Sequence, residues 1–517
     1  MLDPARLAAL SPSTLAGLRR GIEKESLRVR PDGKLAITPH PAPLGSALTH
    51  PSVTTDFSES QLELITGVHA TPEACIAEIT EIHQVVYRAI GDELLWASSM
   101  PCQLPADDAI PIGRYGTSNV GRTKSVYRQG LSYRYGRRMQ TISGIHYNFS
   151  LPEAVSNDTY FALIRNFRRH SWLLLYLFGA SPAVCSSFVA SREHELQTLS
   201  ADTLYLPYAT SLRMGRLGYQ SDAQSSLQVS YNCLDSYAES LHGAMTRPYP
   251  AYQKYGIRQG DDYHQLATSL LQIENEFYST IRPKRRIRPG ERPLHALRQR
   301  GVEYVEVRLM DLDPFEAVGI DAATMRLLDV FLLHCMLSDS PPDNAQELAA
   351  VVSNQQRVAS RGREPGLKLT RGIAEVSLFE WAAQILAECE PIAAALDAAG
   401  AALPPNSEES AALAKAAHRN VLAGAVATLR DPELSPSAQV LQSMTRDFDN
   451  SHTRFALTQS VLHRDAIWKL PFARDIADRY GRLAEGSLVK QRQIEAADSE
   501  SFEVYLERYL APERLTA

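Results

Sequence analysis

Cysteine is scarce: six residues among 517, namely Cys75, Cys102, Cys185, Cys233, Cys335 and Cys389. None stands in a Cys-x-x-Cys pair and the spacings are wide. That pattern argues against a disulfide framework or a thiolate zinc site, and buried free thiols in a reducing compartment are expected. A basic surplus is also missing. Lys and Arg total 53 against 59 Asp and Glu, a net charge of −6, which argues against a nucleic-acid partner. A small local patch for an anionic substrate stays open. Long apolar runs are absent too. Ser171 to Ser191 holds no charge, but Gly179, Ser181, Pro182, Ser186 and Ser187 interrupt it, whereas a spanning helix wants about 20 predominantly apolar residues. The stretch reads as a buried helix ending near Gly179, a turn and a second buried segment, with no membrane partner. Met1-Leu2-Asp3-Pro4 opens no basic and apolar leader, so no signal peptide is expected and the location expected is cytoplasmic. There is no internal repeat, no GxxxxGK[ST] loop, no GxGxxG finger, no GxSxG elbow and no HExxH. P-loop, Rossmann, serine-hydrolase and zincin readings therefore fail.

What is present is ample core material, 44% hydrophobic and 8% aromatic, with 22% charged residues. A chain of this size folds without a staple. Ala5–Leu18 reads as helix with a break and restart at Ser11-Pro12, and Ala74–Trp96 has sustained helical periodicity. Short segments between Gly21 and Leu151 alternate with period two, the mark of half-buried strands. After about Phe315 the pattern is nearly all helical: Ala322–Leu337, Asn344–Arg357, Leu378–Ala399, Glu408–Thr428, Pro436–Thr445 and Ala473–Lys490. Gly400–Ser410, with Pro404-Pro405-Asn406-Ser407, reads as a loop between helices. Strands in front and helices behind predict an α+β fold. The expectation is one catalytic body over residues 1–517, mixed to about 315 and mainly helical beyond.

Four strands carry unusual polar faces. In Gly21–Val29, Glu23 and Glu25 share one face. Their repulsion suits a bound cation, although Glu23-Lys24-Glu25 on a solvated edge reads equally well. In Thr54–Thr66, Glu63 faces away from Leu62 and Leu64, alongside Glu59 and Gln61. In Gly144–Leu151, Ile145, Tyr147, Phe149 and Leu151 form an apolar face, with His146, Asn148 and Ser150 opposite. In Val302–Leu309, Tyr304, Glu306 and Arg308 face away from Val305, Val307 and Leu309. The bland reading of the last is a cross-strand ion pair. If all four join one antiparallel sheet, Glu23, Glu25, Glu63, His146, Glu306 and Arg308 gather on one wall. Mostly oxygen ligands suit Mg²⁺ or Mn²⁺ over zinc, and Arg308 is suited to grip a phosphate. Such a wall would hold a nucleoside triphosphate through its metals.

The strings GIEKESLRV (Gly21–Val29), LGSALTH (Leu44–His50), Thr54–Thr66, YGTSNVG (Tyr115–Gly121) and MQTISGIHYNFSL (Met139–Leu151) carry a resemblance. So do YLFGASPAVCSSF (Tyr176–Phe188), LPYATSL (Leu206–Leu212), QIENEFYSTIRPKR (Gln272–Arg285) and GVEYVEVR (Gly301–Arg308). The chain resembles the proteobacterial type of glutamate–cysteine ligase, or γ-glutamylcysteine synthetase, over essentially its whole length. The resemblance implies a glutamine-synthetase-like α+β fold whose antiparallel sheet walls a funnel for ATP, divalent metal, L-glutamate and L-cysteine. It implies Glu23, Glu25, Glu63, His146 and Glu306 as metal ligands, Asp56 as a supporting acid, and Arg308 on the transferred phosphate. Phe57, Tyr127, Leu131, Gln140, Tyr219 and Tyr278 match the cysteine pocket. Arg128 and Arg213 match carboxylate or phosphate anchors. Lys24 stands where the family usually has arginine, and Val120 where a polar residue is expected.

The activity implied is ligation of the glutamate γ-carboxylate to the cysteine amine through a γ-glutamyl phosphate. That is the first step of glutathione biosynthesis, with feedback by glutathione to be expected. Rival readings are a ligase for another amine, a metal-dependent phosphoester hydrolase, and a binding protein without catalysis.

Overall fold

The computed structural model describes the chain apart from residues 191, 219–221, 226, 289, 402–417 and 513–517. Its centre is an antiparallel sheet of seven strands. β1 (Arg19–Val29), β2 (Val53–Thr55), β3 (Gln61–Ile65), β4 (Leu94–Leu95) and β5 (Ile145–Ser150) come from the first third. Three short strands, β6 (Ala183–Cys185), β7 (Gln197–Ser200) and β8 (Thr203–Tyr205), form a separate small sheet, and β9 (Arg258–Gln259) pairs with β10 (Asp262–Tyr263). β11 (Ile281–Lys284) and β12 (Tyr304–Met310) then return to the main sheet, whose order is β11-β12-β5-β1-β3-β2, with β4 also paired to β1.

The apolar alternation predicted for these strands decides how the sheet is covered. Ile22, Ile145, Tyr147, Phe149, Val305 and Val307 all point into one core. There they meet Phe161, Ile164 and Phe167 of helix Asn157–His170 and Leu328 and Phe331 of helix Ala322–Leu337. A buried polar tie fastens that layer. Arg20 Nε lies 2.7 Å from Asp329 Oδ2, and Tyr147 Oη donates to Asp329 Oδ1 at 2.6 Å. Leu62 and Leu64 pack on Ile79, Ile82 and Val86 of helix Pro72–Ala89. Lys24 shares the face of Ile22. Its Nζ lies 2.7 Å from His83 Nε2, and His83 Nδ1 donates to the Ile79 carbonyl. Burial brings the Lys24 ammonium down to about 7.

The helix expected from Ala74 to Trp96 ends at Ala89. Gly91 takes φ +61°, a conformation that glycine adopts without the cost a Cβ brings, and turns the chain into β4. The region beyond residue 315 is mainly helical as expected, with a hairpin, β13 (Lys368–Arg371) and β14 (Ala374–Ser377), turned at Gly372. The expected spans omit helices His452–Lys469 and Phe502–Leu510. Ala322–Leu337 forms as expected. Leu378–Ala401 and Pro436–Asp447 follow their expected spans closely, while Ala345–Arg361 and Arg474–Ala497 run about one and two turns past their expected C-terminal ends. Helix His418–Arg430 covers the described part of the helix expected at Glu408–Thr428. Most of the Gly400–Ser410 loop and the start of that helix lie outside the described residues.

The C-terminal helices fold back onto the strands. Ser46 N donates to Ser487 Oγ at 2.9 Å and Thr49 Oγ1 to the Ser487 carbonyl at 2.6 Å. Thr117 N donates to Glu495 at 2.9 Å and Asn119 N to Asp498 at 2.5 Å. The loops around the main sheet are thereby clasped by the last long helix.

Candidate active site

Register sets the polar wall. Glu25 stands opposite Glu63, Glu23 opposite His146, and Glu306 opposite Asn148. Residues opposite one another in an antiparallel pair share a face, so four strands contribute to one surface. His146 is its hub. Its Nδ1 lies 3.2 Å from Glu23 and 3.7 Å from Glu306, and its Nε2 3.5 Å from Glu25. Ligand atoms of Glu23, His146 and Glu306 all fall within 4.8 Å of one another.

Arg308 reaches the wall through a break in register. Val307 pairs with Tyr147 and Met310 with Ile145, leaving Arg308 and Leu309 opposite His146. An extra residue of this kind bends a strand and re-aims its side chains. Arg308 Nη1 comes 3.1 Å from Glu306 and 3.3 Å from His146 Nδ1. Arg213, 1% exposed, supports it from behind, with Nη2 donating to the Arg308 carbonyl at 2.8 Å. The Arg213 guanidinium is 3.8 Å from Asp311, which Ser181, Ser211 and the Ala180 N–H hold in place. Gly144 is required beside it: a Cβ there would overlap that guanidinium, and the Gly144 N–H donates to Glu25 Oε2 at 2.9 Å.

The wall is electrostatically divided. Glu63 is pushed well above the usual carboxylate range by burial, then by Asp56, Glu23 and Glu25. Glu25 is raised by burial and by Asp56. On the other half, burial works against ionisation of Glu306, but Lys284, Arg308 and His146 together hold it well below the usual range. Glu23 is lowered as well. Burial and Glu306 oppose this, and the His146 hydrogen bond and Lys284 outweigh them. The cations thus prevail at Glu306 and Glu23, while burial and mutual repulsion prevail at Glu63 and Glu25.

The remaining residues expected at the site fall around this wall. Asp56 follows β2, close enough to raise Glu25 and Glu63, and Phe57 beside it is buried. Helix Asn119–Tyr135 carries Tyr127, Arg128 and Leu131, with Tyr127 and Leu131 one turn apart. Arg128 donates to the Asp56 carbonyl and lies over the Tyr115 ring at 4.5 Å. Gln140 Nε2 donates to Tyr278 Oη at 2.7 Å, and Tyr278 meets Tyr135 edge-on at 5.6 Å. Tyr219 lies outside the described residues.

Three polar residues at the wall were not singled out from the sequence. Asn148 donates to Glu23 Oε1 at 2.9 Å, Lys284 Nζ stands 3.2 Å from Glu306, and Lys124 faces Glu63 and Asp56, with burial bringing it to about 8. Asn148 follows His146 by two positions, on the polar face already read from the sequence. Period-two spacing was the available signal.

A sheet wall of acids, imidazole and guanidinium, backed by helices, fits the glutamine-synthetase-like α+β ligase class that the resemblance implies. The chain belongs to the Glutamate-cysteine ligase family, whose sequence model matches residues 7–358. It is 46% identical over 527 residues to the glutamate–cysteine ligase of Alcanivorax borkumensis, covering 98% of each chain. It is 47% identical over 508 residues to that of Pseudomonas entomophila, covering 95% of this chain and 93% of the relative. The crystal structure of the glutamate–cysteine ligase of Francisella tularensis in complex with AMP matches with a TM-score of 0.87 at 34% identity. That match covers 96% of this chain and 98% of the other. A bifunctional glutathione synthetase from Pasteurella multocida shares the fold at a TM-score of 0.70 and 24% identity, over 93% of this chain and 58% of that one. No described helix is long and apolar enough to cross a membrane.

Proposed function

We propose that this chain joins the γ-carboxylate of L-glutamate to the amine of L-cysteine with ATP as co-substrate, the first step of glutathione biosynthesis. The observation that carries this reading is the convergence of Glu23, Glu25, Glu63, His146, Glu306 and Arg308 on one sheet face. The relative crystallised with AMP supports a nucleotide site.

The wall fits divalent metal. Glu306 Oε2 and His146 Nε2 are buried without a hydrogen-bond partner, and burial and mutual repulsion raise Glu25 and Glu63 beside Asp56. Glu23, Glu25, Glu63, His146 and Glu306 would hold Mg²⁺, or Mn²⁺ in its place, with Asp56 in support. When bound, the metal neutralises charge on the nucleotide phosphates. Asn148 and Gly144 keep Glu23 and Glu25 oriented, and Lys284 holds Glu306 ionised.

In the first step a γ-carboxylate oxygen of glutamate attacks the γ-phosphorus of ATP, and ADP leaves. Arg308, held by the carbonyl that Arg213 grips, stabilises the transferring phosphoryl group. In the second step the neutral amine of cysteine attacks the acyl carbon of γ-glutamyl phosphate. The tetrahedral intermediate expels phosphate, which takes up the proton that the amine loses. A carboxylate is a poor acyl donor and its phosphate is a good one. No nucleophile on the protein is needed, and burial of the wall limits hydrolysis of the intermediate.

Phe57, Tyr127, Leu131, Gln140, Tyr219 and Tyr278 would line the cysteine pocket, and Arg128 would anchor a carboxylate. Glutathione contains the same γ-glutamylcysteine unit and would compete as a feedback inhibitor. The C-terminal clasp supports reading residues 1–517 as one catalytic body. Six free cysteines, five of them buried, support a reducing, cytoplasmic setting. The test is ATP turnover with Mg²⁺ and glutamate across a series of amines. Turnover should require both glutamate and cysteine. ATP hydrolysis without an amine would favour a phosphohydrolase, and preference for another amine a different ligase.

A further inference from the structure

Away from the acidic wall, the C-terminal ends of two helices meet. Helix Asn157–His170 ends at His170, and helix Ala322–Leu337 carries His334 and Cys335 in its last turns. Asn166 Nδ2 holds the two ends together, donating to the Cys335 carbonyl at 2.9 Å and the Ser338 carbonyl at 3.2 Å. His170, His334 and Cys335 each offer a ligand atom, and the three lie within 4.8 Å of one another. His334 is 1% exposed and Cys335 fully buried, while His170 is half-buried.

Two further observations point to a ligand. Nδ1 of His170 and Nδ1 of His334 are both buried without a hydrogen-bond partner. On the other side of the His334 ring, Nε2 stands 3.0 Å from Glu388 Oε2. With Nε2 donating to the Glu388 carboxylate, the lone pair falls on Nδ1, where no protein donor answers it. A carboxylate that fixes the tautomer of an imidazole in this way is the usual partner of a metal-bound histidine.

We propose that His170, His334 and Cys335 bind a zinc ion, with water in the fourth position, and that the ion fastens these two helix ends. One sulfur and two imidazole nitrogens suit Zn²⁺ and not the hard cations expected at the carboxylate wall. The wide cysteine spacing excludes a site built from several thiolates, but not one thiolate joined by two histidines. The negative ends of two helix dipoles favour a cation here. Burial, Arg169 and Arg371 oppose a cation at His170, and the Glu388 carboxylate favours one. Trp172 and Trp381, 5.0 Å apart, wall the cluster, with Trp381 edge-on to His170. On binding, the Cys335 thiol gives its proton to solvent and a sulfur–zinc bond forms.

Co²⁺ titration of the full chain, with the carboxylate wall saturated by Mg²⁺, tests this. A thiolate–cobalt charge-transfer band should grow to one equivalent, and Zn²⁺ should abolish it. Oxygen and nitrogen ligands give no such band. Cys335→Ser should lose it, and Glu388→Gln should weaken metal affinity about 10–100-fold. His170→Gln, at the half-exposed end, serves as a second variant should Cys335→Ser fail to fold. Absence of the band in the parent chain, or an unchanged band in Cys335→Ser or His170→Gln, would overturn the proposal.

Discussion

Two cations and an imidazole converge on Glu306, through Lys284, Arg308 and His146. Replacing it with glutamine removes the charge that all three answer, at nearly constant volume. Glu306→Gln should lower turnover by about 10²–10³ while circular dichroism and the thermal midpoint stay near the parent's. Near-normal turnover at saturating Mg²⁺ would contradict its placement. Arg308→Lys keeps the charge but loses the planar fork. Single-turnover formation of γ-glutamyl phosphate should fall more than ATP affinity; the reverse would make Arg308 a ground-state anchor. The aromatic pocket should judge the acceptor by shape. A thiol is a weak donor that packs like a small hydrophobe, so 2-aminobutyrate should be an acceptor about 10–200-fold poorer than cysteine. Serine should be worse still, because its hydroxyl must be desolvated among rings. Competition between the three amines decides this, and serine ahead of 2-aminobutyrate would count against the pocket.

Among the elements, the turn from β12 into helix Ala322–Leu337 stores a pH-dependent cost. Burial, then Asp321 and Asp313, raise the Glu316 carboxyl to about 7. An acid whose folded pKa lies above its unfolded value favours the protonated form. The fold therefore bears no penalty below about pH 4.5 and the full penalty above about pH 7. Glu316→Gln should stabilise the protein by about 1 kcal/mol at pH 8, after discounting for solvent screening. At pH 4 it should have no effect. Thermal melts at the two pH values check this, and equal shifts at both would remove the electrostatic explanation.

Across the whole molecule, the long C-terminal helix Arg474–Ala497 holds loops that flank the sheet. Gly45 is the close point of that contact. Its φ is +78°, and a Cβ there would meet the Ala484 backbone and Ser487 Oγ. Gly45→Ala should cost at least about 1 kcal/mol and free the clasp. Limited proteolysis should then release a C-terminal fragment faster than from the parent, with loss of activity following cleavage. Unchanged proteolysis would mean that the clasp does not depend on this contact.

Strand faces were legible without coordinates because alternation is local: a side chain's face follows from its own strand's period. Ile145, Tyr147 and Phe149 were readable as an apolar face, and Glu23 with Glu25, His146 and Glu306 each as part of its own strand's polar face; that they form one set was conditional on the strands joining one sheet. The helix break at Ser11-Pro12 and the helix end near Gly179 were local as well. Pairing is not local. That β1 lies between β5 and β3, with Glu25 opposite Glu63 and Glu23 opposite His146, depends on chain segments up to about 120 residues apart. The register break that turns Arg308 towards His146, the hold of Arg213 on the Arg308 carbonyl, and the reach of Lys284 to Glu306 are products of that pairing. The meeting of His170 with His334 and Cys335, and the return of Ser487 to Ser46, come from helices packing across the core. Sequence alone determined which residues could share a face. Only the tertiary structure decided which faces meet, because register and packing are set by contacts between distant segments that no local period records.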